Sequence, residues 1–96
     1  MSAAQLFERD DEYLAWAKDN PTGYVLNVNR SLSGRYLILH SAACGTILEG
    51  KYAAGALTER NYRKVAAATE KDLLKWIKSH VPESDGFTRR CSRCAP

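Results

Sequence analysis

The chain has 96 residues, room for one small domain and not two. Its 45% hydrophobic and 26% charged composition is that of an ordinary globular protein, and no apolar run is long enough to span a bilayer. The net charge of +3 is unevenly spread: residues 1–20 carry Glu8, Asp10, Asp11, Glu12 and Asp19 against Arg9 and Lys18, while from Thr58 onward nine Lys or Arg face five acids, a polarity that permits a nucleic-acid partner without demanding one.

Met1 to Glu12 turns acidic where a signal peptide would have its apolar core, so a cytoplasmic location is expected. Residues 1–9 read as a separate short helix or arm, with Ser2 and Gln5 as a capping box. A helix follows, placing Tyr13, Leu14 and Ala17 on one face with Trp16 beside it. Asp10 is expected as its N-cap, because inside a longer helix it would fall on the apolar side. Asn20-Pro21-Thr22-Gly23 stops the helix and turns the chain. Tyr24 to Asn29 then alternates as a strand, and Arg35 to His40 reads as a second strand, apolar on both faces. The two form an antiparallel hairpin, with His40 at its end and Cys44-Gly45 in the turn beyond.

Gly50 to Ala56 reads as a loop. Tyr62 to Ala68 is open to two readings: its alanines favour helix, while Tyr62-Arg63-Lys64-Val65 suits a strand joining the hairpin, which is preferred. Thr69 with Asp72 resembles a helix cap, and a helix over Glu70 to about His80 buries Leu73, Leu74, Trp76, Ile77 and Val81. Val81-Pro82 ends it, and residues 82–87 link to Thr88-Arg89-Arg90-Cys91-Ser92-Arg93-Cys94. The expected architecture is α+β: a small antiparallel sheet of about three strands, two helices, and a C-terminal tail pinned by a structural metal.

His40, Cys44, Cys91 and Cys94 use every cysteine and one of two histidines. One imidazole and three thiolates make a tetrahedral zinc set. An odd number of cysteines fits a disulfide framework poorly, and in a reducing compartment thiols at ligand spacing favour metal. The ion would be structural, closing a long loop between the hairpin and the tail. The alternatives are a buried Cys44 acting as a small hydrophobe, with Cys91 and Cys94 as a redox pair, a disulfide or free thiols, or an iron–sulfur cluster or other thiophilic ion in place of zinc. His80 sits at a helix C-terminus, where a cation is favoured, and is otherwise a substitute ligand. Four candidate protein ligands argue for a closed site and against catalysis. His40 and Cys44 as base and nucleophile lack an orienting acid, and no H-E-x-x-H, phosphate loop, serine elbow or deaminase H-x-E motif is present.

Two sets of residues suggest a binding surface. Arg89, Arg90 and Arg93 flank the proposed zinc loop, which would hold them rigidly for phosphate or base contact; Asn27, Asn29 and Arg30 could extend that patch. Lys71, Lys75 and Lys78 form a helical stripe that is either a phosphate contact or a solvated face. Trp16 and Trp76 fall on apolar arcs and read as core, whereas Tyr24, Tyr36 and Tyr62 would stack bases if they shared an exposed sheet face.

Tyr13-Leu14-Ala15-Trp16, Asn20 to Asn27, Leu39-His40 through Cys44-Gly45-Thr46-Ile47, Tyr62 to Val65 and Arg90-Cys91 to Cys94-Ala95-Pro96 form one pattern across residues 10–96. It resembles a small bacterial zinc-binding domain with one His and three Cys, found alone or beside HNH-type and other restriction-type nuclease domains. The resemblance implies an accessory role in DNA processing or defence, with His40, Cys44, Cys91 and Cys94 as ligands. It carries no HNH catalytic residue, so nuclease chemistry is not implied. The expectation is a non-catalytic, zinc-stabilised binding module for nucleic acid; the alternatives are a protein-interaction or oligomerisation domain and a thiol redox protein.

Overall fold

The computed structural model describes residues 4–44, 58–59 and 61–91. Within them, five strands and two helices run in the order β1 (Gln5–Phe7), α1 (Asp10–Asp19), β2 (Tyr24–Asn29), β3 (Leu37–Ser41), β4 (Tyr62–Ala67), α2 (Glu70–His80) and β5 (Arg89–Arg90). The strands form one sheet ordered β1-β4-β2-β3-β5. All neighbours are antiparallel except β3 and β5, which run parallel.

The expected sheet of about three strands is therefore too small. The hairpin and the strand over residues 62–67 form its centre, with a short strand added at each edge. Residues 5–7, expected as a helix or arm, pair with Lys64–Ala66 instead. The pairing inserts Phe7 beneath α1 (4% exposed), which a detached arm could not do.

Alternation along the central strands makes two different faces. Leu26, Val28, Leu37, Leu39, Val65 and Ala67 point to one side and meet Leu73, Trp76, Ile77 and Val81 of the α2 segment. Each such burial contributes roughly 1.5–3 kcal/mol for a large aliphatic side chain. Thr69 caps α2 as its sequence suggests: its hydroxyl accepts from the Asp72 N–H at 3.2 Å. Leu74 departs from the expected buried arc and is 42% exposed. It lies at the edge of the apolar stripe, turned away from the sheet.

The opposite face holds Val25, Ala66, His40, Asn27, Lys64 and Tyr62, and α1 covers part of it through Tyr13, Trp16 and Ala17. Gly23 is what lets α1 lie so close. A Cβ there would come within 2.9 Å of the Trp16 ring and 3.0 Å of the Ala67 carbonyl. Asp10 is not the N-cap. It is the first helical residue, and Arg9 holds the cap position without a side-chain bond. The Asp10 carboxylate instead accepts from the Thr58 N–H (2.8 Å) and hydroxyl (2.6 Å), while its own N–H donates to Glu59. The helix start is thus tied by a segment 48 residues away, a partner no local pattern could name.

Candidate metal centre

Three elements bring the described ligands together. β3 ends at His40-Ser41, and His40 faces the α1 side opposite Val25. The following turn folds back with Cys44 N–H donating to the Ser41 carbonyl at 3.0 Å. β5 pairs Arg89 with Ile38 and Arg90 with Leu39, so the next step along that parallel register sets Cys91 level with His40. The Cys91 N–H continues the ladder by donating to the Leu39 carbonyl at 2.8 Å.

The ligand atoms of His40, Cys44 and Cys91 all lie within 4.8 Å of one another. The two sulfurs are 3.8 Å apart. Two thiolates bonded tetrahedrally to zinc at about 2.3 Å stand about 3.8 Å from each other, whereas a disulfide needs about 2.05 Å. The cluster is therefore a His/Cys site able to coordinate a metal ion. Cys94, the fourth expected ligand, and Arg93 lie outside the described residues, as does the expected loop over residues 50–56.

His40 supplies a chemical test of that fit. Among the described residues, only the His40 Nδ1 and the Tyr13 hydroxyl are buried side-chain polar atoms without a hydrogen-bond partner. An unpartnered buried nitrogen costs about 1–3 kcal/mol, and a metal ion aligned with two thiolates removes that cost. The imidazole is held neutral, as a ligand must be: burial, helped by the Lys64 charge, pushes its pKa down to about 4. Phe7, Tyr13, Val25, Ala42, Ala66 and the partly buried Trp16 wall the cluster with apolar surface. Burial pushes the Tyr13 hydroxyl pKa up, and the neighbouring Cys44 adds to this. From the sequence Tyr13 shows only as part of a helix face, because hydrophobic spacing does not show where a ring's polar tip ends.

His80 lies away from the cluster. Its ring stacks on Trp76 with centroids 4.5 Å apart, and its Nδ1 lies 3.0 Å from the Trp76 carbonyl.

The cationic candidates do not form one patch. Lys71, Lys75 and Lys78 are exposed on α2, which packs on one face of the sheet. Arg90 turns toward the same helix and pairs with Glu70 at 2.8 Å. Arg89, paired with Ile38, belongs to the opposite face with Asn27. Asn27 is half-buried and engaged: its Oδ1 accepts from the Lys64 ammonium (2.8 Å), and its Nδ2 donates to the Tyr36 hydroxyl (3.3 Å). Arg30 is exposed where β2 ends. Tyr24 points to the α2 side, so of the three tyrosines only Tyr36 and Tyr62 share a face.

No helix among the described residues is long and apolar enough to cross a membrane. The architecture is a small α+β domain with two helices, a five-stranded sheet and a His/Cys cluster. The chain matches no family model, no curated protein and no solved structure.

Proposed function

We propose that the domain is a non-catalytic binding module, stapled by a structural zinc ion, whose partner is nucleic acid. His40, Cys44 and Cys91 would hold the ion, with Cys94 three residues on as the fourth donor. The burial of the cluster supports a structural role: Cys44, His40 and Cys91 are 4%, 6% and 9% exposed, leaving little access for a substrate.

The observation that carries the nucleic-acid reading is that the central strands bear cations and no acid of their own. From Thr22 to Cys44 and from Asn61 to Thr69 there is no Asp or Glu, yet Arg30, Arg35, Arg63 and Lys64 are all present. Arg30, Arg35 and Arg63 stay at least partly exposed on the central strands and the β2–β3 connection, while Lys64 is buried and Glu83 lies beside Gly34. Exposed arginines of this kind attract phosphate.

A protein partner is the second reading, favoured by Leu74, which is exposed beside a groove lined by Gly86, Phe87 and Thr88. Gel-shift titration of the zinc-loaded chain with single-stranded and duplex oligonucleotides, at low and at physiological salt, separates the two. Binding that weakens steeply with salt is expected. No shift at low salt, with a dimer by light scattering, refutes the nucleic-acid reading.

A further inference from the structure

The sheet face that α1 leaves partly uncovered carries an arrangement the metal centre does not use. Tyr62 pairs directly with Asn29, and Tyr36, one residue before β3, lies across from Asn29 on its other side. The two rings lean together over Asn29, with centroids 5.4 Å apart and planes tilted by 38°. Both tyrosines are partly exposed.

A buried polar network holds them. The Lys64 ammonium (3% exposed) lies 5.9 Å from the Tyr62 ring centroid and bonds Asn27, and Asn27 bonds the Tyr36 hydroxyl. Exposed cations lie at the same end of the sheet. Arg89 lies near enough for its charge to act on the Tyr36 hydroxyl, and Arg30 and Arg35 sit in the connection between β2 and β3.

The geometry points to a single-stranded nucleic-acid site, with unpaired bases stacking on Tyr36 and Tyr62 and the backbone phosphates meeting Arg30, Arg35 and Arg89. This rests on the nucleic-acid reading above and specifies its strand state and its surface. Aromatic faces on a sheet take bases of any identity but need them unstacked, which a duplex does not provide. The alternative surface, the Lys71, Lys75 and Lys78 stripe on α2, has beside it the buried Trp76 and the His80 ring stacked on it, but no pair of rings on a sheet face. It would serve duplex phosphates only.

Fluorescence anisotropy with a short labelled oligothymidine and a duplex of equal length tests the assignment on the zinc-loaded chain. Tyr62→Ala should weaken single-strand binding about tenfold or more, and Tyr62→Phe, which keeps the ring, should leave it within about twofold. Changing Lys71, Lys75 and Lys78 together to Ala should leave single-strand affinity nearly unchanged beyond the loss of general charge. Unaltered melting of Tyr62→Ala shows that the loss is not misfolding; if that variant unfolds, Arg89→Ala, at an exposed position, carries the same test. Tight duplex binding that the triple lysine change abolishes would overturn the single-strand site and leave the nucleic-acid reading standing. Absence of binding to either probe at low salt would overturn both.

Discussion

Against α2 the sheet buries leucine, isoleucine and valine; against α1 it buries a histidine, two thiols, a lysine and a tyrosine hydroxyl. The first face is stabilised by removing apolar surface from water and needs nothing further. The second contains groups whose burial is unfavourable unless something engages them. Lys64 has Asn27, and the Asp10 charge favours its ammonium form. His40 Nδ1 has no protein partner among the described residues. The contrast places the candidate metal site on one side of a single sheet.

Metal removal should break the symmetry most visibly. The chain is expected to carry one zinc by elemental analysis, and chelation should lower stability by about 4 kcal/mol for each thousandfold excess of free zinc over its Kd that is lost. Hydrogen exchange should then show lost protection in α1 and β5 before α2. Cys91→Ser should reproduce both effects. Full-strength melting after the metal has been stripped would show that the cluster holds no structural ion.

The next largest effect tests the other face. Leu73→Ala removes a fully buried side chain from α2 and should cost about 2–5 kcal/mol. Urea unfolding should return the same cost in the zinc-loaded and the chelated protein. A cost that changes with zinc would mean that packing on the α2 face alters zinc affinity, coupling the two faces in the native state.

A smaller effect comes from Lys64. Burial pushes its pKa down to about 8, partly countered by Asp10, so between about pH 8 and its ordinary value of 10.5 the unfolded chain binds more protons than the folded one. Stability should therefore rise with pH through that window, by roughly 1–3 kcal/mol. Lys64→Met should flatten the rise in the zinc-loaded protein. An equal rise in the variant would assign the effect to other groups.

What could be read from the chain tracks how local its cause is. Tyr24–Asn29, Glu70–His80 and the Thr69 cap announce themselves through alternation, helical spacing and a hydroxyl three residues before Asp72. β1 and β5 are three and two residues long, too short for any periodicity to show. Arg89–Arg90 reads as surface charge, and only the neighbouring β3 makes it a strand. The same register delivers Cys91 to His40, so the ligand types were legible while the device that unites them was not. Asp10 illustrates the converse: its carboxylate suits a cap, but Thr58 offers two donors and takes it.

β5 also matters for what it covers. β3 presents Leu37-Ile38-Leu39, an apolar run of strong strand formers, and without β5 its outer edge would offer unpaired amides and carbonyls to any passing chain. Thr88 and Cys91 close that edge by donating to the Leu37 and Leu39 carbonyls, and Cys91 belongs to the metal cluster. An ion held at this point would guard against edge-to-edge aggregation as well as unfolding, so metal-starved protein should aggregate faster than the zinc-loaded chain at high concentration.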